Sequence, residues 1–473
     1  MNLKIKEAIG GIKLPARASA WYLGASAVAK LTGVITTPIF TRLINKEDYG
    51  RFTLYMTLLG CATVVCSAFC SGSAIYKGLR DYKENEEKYL KSVLWTTLGF
   101  STLICILLFA FSPFLDLNPW LLIPLSLQIF CDGICAIVIT KARFYYKYKA
   151  ATVISLITSL LSPAISALII YFWNGGYTIR IYVMLFLSIC VTSYSLFTLL
   201  KNRSKVDIKT LRYTIKSSLP LLPHTISTAL SGQADKFIIS GLMGAAALAK
   251  YSVVYSMGIA LQFIVNAIGS ALSPWIIRRL DRGDEKRISE LILPMTLGYW
   301  ALSLFLVALS PEALAILAPK DYFDAYSALI PIALSTPLYF VFSVVTVGLI
   351  HSGRGGYSAL ISVIGGGLSL ILNYTLIGSY GYWGGGLAIL IQQAIVTLIA
   401  ALLLGRVRKK RLISLPKVLL PGVICAGLCA VIYMLRELLW ARCLILLIPT
   451  VTLLYCLTAA KSQVIEKVDK IGS

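Results

Sequence analysis

The residues best suited to chemistry in this chain are ionisable side chains that lie inside long apolar runs. Lys30, Asp132 and the adjacent pair Asp235 and Lys236 stand among mostly aliphatic and small neighbours. A charge in such surroundings is costly unless it faces a polar cavity or a partner, where it binds an ion, a proton or a polar substrate. These four residues are therefore predicted to line a cavity within an apolar protein.

A polar stripe runs along the segment that holds Asp235. His224, Thr228, Ser231 and Asp235 follow one another at spacings of one face of an α-helix. Shorter stripes of amide and phenol groups lie in other apolar runs. The complete set of predicted cavity residues is Lys30, Gln128, Asp132, His224, Asp235, Lys236, Tyr255, Gln262 and Asn266. For the hydroxyl residues, hydrogen bonding between packed helices remains an equal alternative.

No catalytic constellation accompanies these groups. The chain has 2 histidines and no HExxH, P-loop or nucleophile-elbow motif. Its 11 cysteines all lie in apolar runs without a close CxxC pair, which indicates small buried side chains. The sequence therefore predicts no enzyme, no metal and no cofactor, except for a coupling proton or sodium ion.

The elements that position these residues must be membrane-spanning helices. Of 473 residues, 58% are hydrophobic and 14% charged, with a mean hydropathy of +0.79. Soluble domains are about half apolar and about a quarter charged. This composition excludes a soluble enzyme, a disordered chain and a fibrous repeat. It predicts a polytopic, all-α membrane protein.

Apolar runs long enough to cross a bilayer predict fourteen transmembrane helices. They lie at residues 18–41, 52–76, 92–112, 120–140, 150–173, 181–200, 217–240, 251–275, 289–310, 326–350, 358–377, 384–405, 417–434 and 441–459. No cleavable signal peptide is expected at the N-terminus, so the first run is predicted to be a retained helix.

The connections between these runs alternate in charge. Of the 44 Lys and Arg residues, 34 fall in one set of connections and 8 in the other. By the positive-inside rule, the first set is cytoplasmic and both termini are inside. The tryptophan positions agree with this orientation, since Trp95 lies at a predicted inner helix end and Trp120 at a predicted outer one. The net charge of +23 is thus assigned to the cytoplasmic membrane surface and not to nucleic acid.

A weak internal repeat suggests how the helices are grouped. Residues 38–57 align without gaps on residues 237–256, an offset of six predicted spans. An even number of spans keeps both copies in the same orientation, with chance similarity as the alternative. The predicted domains are two pseudo-symmetric six-helix bundles, at 1–205 and 206–405, and two additional helices with a tail at 406–473.

Three stretches resemble bacterial polysaccharide repeat-unit flippases of the multidrug/oligosaccharidyl-lipid/polysaccharide exporter superfamily. They are SLPLLPHTISTALSGQADKFIISGLMGAAALAKYSVVYSMG with SPWIIRRLDRGD (218–258 and 273–284), TRLINKEDYGRF (41–52) and LNYTLIGSYGYWGGGLA (372–388). The chain departs from the family pattern at Ala249, where glycine is usual, and at Gly378, where proline is usual. Neither departure removes a charged group.

The resemblance implies a MATE-like fold in the bacterial inner membrane and an undecaprenyl-pyrophosphate-linked oligosaccharide as substrate, such as an O-antigen unit of lipopolysaccharide. Lys30 and Lys236 would contact phosphate, and Asp132 or Asp235 would bind the coupling ion. Membrane lipids, a polysaccharide polymerase and a chain-length regulator are the expected partners. Three alternatives stay open: a multidrug or cation antiporter, a peptidoglycan-precursor flippase, and, less favoured because every external connection is short, a lipid-linked glycosyltransferase or polymerase.

Overall fold

The computed structural model describes residues 21, 24, 28–29, 32–69, 72–114, 117–145, 147–173, 175–200, 206–408 and 415–453. Across these ranges the chain forms helices and short connections with no β-strand, which confirms the all-α prediction. The chain divides into two compact units, Met1–Ala249 and Lys250–Ser473.

In the described part of the first unit there are ten α-helical segments. They are α1 (32–43), α2 (Lys46–Cys66), α3 (Gly72–Asp81), α4 (Glu86–Ala110), α5 (Leu122–Phe144), α6 (Tyr148–Leu156), α7 (Ser162–Trp173), α8 (Tyr177–Leu200), α9 (Ile208–Ser218) and α10 (Leu222–Met243). A π-helical turn at Ile157–Leu161 joins α6 to α7, so the two make one apolar span.

Local sequence signals fix several of these boundaries. Asn45 caps α2, because its side-chain oxygen accepts the backbone N–H of Asp48 at 2.7 Å. Glu47 and Asp48 in the first turn suit the positive end of the helix dipole. At the other end of the unit, α10 stops at Gly244, whose φ of 84° is a left-handed conformation that favours glycine.

The second unit begins within α11, and its described residues form six named α-helical segments, the last of which is followed after Leu446 by a further helical stretch at 447–453. They are α11 (Ala245–Asp281), α12 (Glu285–Leu317), α13 (Leu329–His351), α14 (Gly355–Arg408), α15 (Leu415–Met434) and α16 (Leu439–Ile445). Helix α14 reverses direction at Gly381, with φ 57° and ψ −132°. It therefore comprises the two predicted spans 358–377 and 384–405.

The last two helices pack against α12. Arg442 of α16 is 3% exposed and donates to the carbonyl oxygen of Ala308 at 2.6 Å. The same guanidinium binds Glu312 on α12, with one N–H···O distance of 2.9 Å. On α15, Gly422 lies against the indole of Trp300, where a Cβ would come within 2.7 Å of the ring.

Ten described helices are long and apolar enough to cross a membrane, which confirms a multi-pass membrane protein. Two predicted spans were placed wrongly. The run at 52–76 is divided, because α2 ends at Cys66 and α3 is a separate short helix. The run at 217–240 begins later, at Leu222, after the separate helix α9. Lys, Arg and Tyr residues give α3 and α9 a polar side that a spanning helix lacks.

Candidate polar sites in the two units

Asp132 belongs to a polar group that joins side chains of α2, α5 and α8 in the first unit. On α5, Gln128 lies one turn before Asp132 and donates from Nε2 to its Oδ1 at 3.0 Å. The same Gln128 amide donates to Oγ of Ser188 on α8 at 2.7 Å. From α2, the Thr63 hydroxyl donates to Oδ2 of Asp132 at 3.4 Å. The two predicted residues Gln128 and Asp132 thus form one polar group.

Among the described residues, the Asp132 carboxylate of this group has no cationic partner. No Lys, Arg or His side chain in the described part of the chain forms a salt bridge with Asp132. The described partners of Asp132 are neutral hydrogen-bond donors. Two further buried polar atoms near Asp132 have no hydrogen bond among the described residues. Oε1 of Gln128 and the hydroxyl of the fully buried Tyr55 have no hydrogen-bond partner among the described residues. Such a group suits a proton or a small cation.

The second group lies on α10. Asp235 and Lys236 are 3% and 8% exposed, although both side chains are charged groups in an otherwise apolar unit. Nζ of Lys236 donates to Oε1 of Gln233 at 2.6 Å. Helix α10 is absent from the ten strongly apolar helices because these polar residues lower its mean hydropathy.

Helix α2 lies beside both groups. Thr63 binds Asp132, and two residues earlier the Cys61 thiol donates to the carbonyl oxygen of Ala229 on α10 at 3.6 Å. Gly60 faces Gln233, whose Nε2 would be 3.7 Å from an added Cβ. The two predicted charged sites of the first unit therefore flank one helix.

His224 lies at the start of α10, away from this packing. Its ring is partly buried, and Nδ1 has no hydrogen-bond partner among the described residues. The backbone carbonyl of His224 accepts the Thr228 hydroxyl at 2.8 Å, as hydroxyl residues in helices commonly do. The predicted polar stripe is thus partly satisfied within its own helix.

The remaining predicted residues belong to α11 in the second unit. Tyr255 is stacked on Tyr251 with ring centroids 5.9 Å apart, and Gln262 is partly buried. Asn266 is exposed and accepts the Tyr339 hydroxyl of α13 at 3.0 Å. Lys30 lies outside the described residues. That all nine predicted residues line one cavity stays a prediction.

Sequence reasoning missed several polar contributors. Thr63, Ser188 and Gln233 complete the two groups, yet single hydroxyl and amide residues are too common in apolar runs to be singled out. The predicted spans 150–173 and 181–200 leave Arg180 in the short connection between them. The structure instead places it in α8, with its guanidinium carbon 3.7 Å from the ring centroid of Phe40 and 3.8 Å from that of Phe52.

Among the described residues, no three His, Cys, Asp or Glu side chains are arranged to hold a metal ion. The polar groups are single carboxylates, amides and ammonium groups distributed along helices.

Residues 16–280 match the family described as polysaccharide biosynthesis protein. The chain belongs to that family. A second match, to the MatE family, covers residues 220–375. The resemblance predicted from the sequence is therefore confirmed. A search by sequence alone finds no curated protein that matches.

Solved structures with the same fold extend the comparison for this polysaccharide biosynthesis family member. A lipid II flippase MurJ in an inward closed conformation has a TM-score of 0.71 and 16% identity, and the match covers 93% of this chain and 98% of that one. An inward-facing multidrug resistance MATE family transporter of the MOP superfamily has a TM-score of 0.62 and 12% identity, and the match covers 81% of this chain and 96% of that one. A MOP superfamily transporter from Pyrococcus furiosus has a TM-score of 0.57 and 16% identity, and the match covers 85% of this chain and 96% of that one. The fold is thus that of MOP superfamily flippases and transporters.

Proposed function

We propose that the protein flips undecaprenyl-pyrophosphate-linked oligosaccharide repeat units, of O-antigen or a related surface polysaccharide, from the cytoplasmic to the periplasmic leaflet of the bacterial inner membrane. Membership of the polysaccharide biosynthesis protein family carries this proposal. The fold, shared with a lipid II flippase, is compatible with a lipid-linked cargo. Both termini are then cytoplasmic, as the distribution of Lys and Arg indicates.

The buried polar groups are consistent with this task. A pyrophosphate and a chain of sugar hydroxyls cannot enter hydrocarbon without replacing their hydrogen bonds to water. Lys236, buried and hydrogen-bonded to Gln233, and Lys30 supply cations for phosphate. Gln128, His224, Tyr255, Gln262 and Asn266 supply donors and acceptors for sugars. Alternating access moves this site from one leaflet to the other.

Coupling to an ion gradient belongs to the same proposal. Asp132 accepts hydrogen bonds from Gln128 and Thr63, and its charge has no cationic partner among the described residues. A proton or a sodium ion at Asp132 would neutralise that charge during the transport cycle. Asp235 is the alternative position, since it is also buried.

The test is complementation of a strain that lacks this gene. Lys236→Ala should abolish surface polysaccharide while the protein remains in the membrane at normal level, because the phosphate contact is lost. Lys250→Ala, which removes a cation that pairs with Asp324 in the second unit, is the matched control and should complement fully. Full complementation by Lys236→Ala would refute the role of that residue. Failure of the unaltered gene to restore polysaccharide would refute the function.

A peptidoglycan-precursor flippase is the second candidate, because the structural likeness to the lipid II flippase extends over 93% of this chain. Expression in cells depleted of their own lipid II flippase distinguishes the two. Growth rescue would favour the second candidate, whereas restored surface polysaccharide without growth rescue would favour the first. A multidrug antiporter would give neither result and would raise drug resistance instead. A polysaccharide polymerase and a chain-length regulator are the partners that the first candidate requires.

A further inference from the structure

Helix α9 is oriented in an unusual way for a helix beside a protein core. The side that it buries is formed by hydroxyl residues, with Thr210, Thr214 and Ser218 only 2%, 1% and 1% exposed. On a separate, outward-facing side of the helix, Ile208 is 72% exposed and Ile215 is 39% exposed, followed by Leu219 at 53% in the next turn. Soluble helices show the reverse arrangement.

Three cations lie next to this apolar stripe. Lys209, Arg212 and Lys216 are all exposed, and their spacing places them on one side of the stripe. The nearby carboxylates are already engaged. Asp207 caps the helix by accepting the backbone N–H of Lys209 at 3.1 Å. Asp81 pairs with Arg80 at 3.5 Å and accepts a hydrogen bond from Tyr213.

The helix is fixed in place by contacts with α3 and α4. Oγ1 of Thr210 lies 2.6 Å from Oγ of Ser92 on α4, and the Tyr213 hydroxyl donates to Asp81 of α3 at 2.8 Å. Burial and this hydrogen bond raise the pKa of Tyr213 to about 12, so the phenol remains a donor at neutral pH. The apolar stripe is therefore held outward and does not turn into the core.

The contact with α4 also gives the depth of α9. Trp95 follows Ser92 by three residues, about 4.5 Å along the helix, and is 58% exposed. Exposed tryptophans of membrane proteins concentrate at the boundary between headgroups and acyl chains. Helix α9 thus lies at the level of that boundary, at the end of the first unit that is predicted to be cytoplasmic.

We propose that α9 is an interfacial helix that binds anionic phospholipid. The stripe of Ile208, Ile215 and Leu219 lies in the upper acyl region, and Lys209, Arg212 and Lys216 bind lipid phosphates. Amphipathic helices with apolar residues on one side and cations beside them bind membrane surfaces in this way. The anionic cytoplasmic leaflet supplies the complementary charge.

The test uses the full-length protein in lipid nanodiscs made of phosphatidylcholine, with or without phosphatidylglycerol. Hydrogen exchange is followed over residues 206–221. We expect stronger protection with phosphatidylglycerol, and we expect Lys209→Gln/Arg212→Gln/Lys216→Gln to remove the difference. Each cation adds about fivefold to affinity for an anionic surface, so the triple variant should bind phosphatidylglycerol in detergent about a hundredfold more weakly.

The matched control is Lys77→Gln/Lys83→Gln/Lys88→Gln, which removes three exposed cations at the same end of the first unit but outside α9. This control variant should keep the stronger protection of residues 206–221 in nanodiscs that contain phosphatidylglycerol. A second variant, Ile208→Ser/Ile215→Ser, should reduce protection in both lipid mixtures because it removes the apolar stripe.

Each contrary result would overturn the proposal. If the triple variant on α9 kept the full lipid difference, the cations would not bind the headgroups. If residues 206–221 exchanged rapidly in both mixtures, the face would be open to a protein partner and not to lipid. If phosphatidylcholine alone gave full protection, the site would be apolar without a preference for anionic lipid. None of these outcomes depends on which substrate is transported.

Discussion

Gln128 and Asp132 lie one helical turn apart on α5, and the Gln128 amide donates to the Asp132 carboxylate across 3.0 Å. Because the same amide also donates to Ser188, the carboxylate is connected to α8 as well as to α2 through Thr63. A change in the protonation or ion occupancy of Asp132 therefore acts on three helices at once.

Replacing Asp132 by asparagine tests this arrangement. The amide of Asp132→Asn would keep a similar shape but carry no charge to bind a proton or a sodium ion, so transport should no longer respond to an ion gradient. The measurement is gradient-driven flipping of a lipid-linked oligosaccharide in proteoliposomes. Asp324→Asn is the control, because Asp324 is exposed and pairs with Lys250. If flipping by Asp132→Asn still responded to the ion gradient, the residue that couples transport to the ion would not be Asp132.

Arg180 yields a prediction about stability. Its planar guanidinium is stacked between Phe40 and Phe52, and no carboxylate of the described residues pairs with it. Lysine keeps the charge but lacks the planar group, and its ammonium is more strongly hydrated. Arg180→Lys should therefore lower the free energy of unfolding by about 1 to 3 kcal/mol.

The neutral variant Arg180→Met should lower the free energy of unfolding by less than Arg180→Lys does, because methionine fills the space without placing a charge between the two rings. Melting temperatures measured in detergent show which of the two variants is the less stable. Arg42→Lys, on an exposed side chain of α1, is the control and should leave the melting temperature unchanged. A more stable lysine variant than methionine variant would contradict the stacking argument.

The reversal within α14 gives a third prediction. A Cβ on Gly384 would lie 2.0 Å from the carbonyl oxygen of Leu376, whereas a Cβ on Gly378 would meet nothing within 4 Å. Gly384→Ala should therefore destabilise the second unit by about 1 to 3 kcal/mol or more through overpacking. Gly378→Ala should be tolerated. Equal melting temperatures for the two variants would show that the turn relaxes without cost.

Most of the fold could be predicted from the sequence because the bilayer imposes a length and an apolar composition on each spanning helix. Boundaries failed where a short helix adjoins a spanning one, as at α3 and α9. Ala74 and Ile75 of α3 continue the preceding apolar run, so hydropathy alone extended the predicted span 52–76 into the first half of α3. Arg180 was misplaced for a related reason, since a single cation near a helix end lowers hydropathy as a loop does.

The candidate sites were predicted less completely. Charged residues in apolar runs identified Asp132, Asp235 and Lys236, because burial of a charge is unusual enough to be informative. Their partners Thr63, Ser188 and Gln233 depend on which helices are neighbours, and spacing within one helix carries no such information. Asn266 shows the same limit, because its hydrogen bond with Tyr339 of α13 could not be predicted from the spacing within α11.

The bond between Arg442 and Glu312 has a mechanical consequence for the second unit. Because Arg442 also binds the backbone of Ala308, α16 is attached to α12 at two points one turn apart, and α15 packs on the same helix at Trp300. Any tilt of α12 during a transport cycle must carry α15 and α16 with it. On these contacts the C-terminal helices belong to the same mechanical body as α12, whether that body moves or stays fixed.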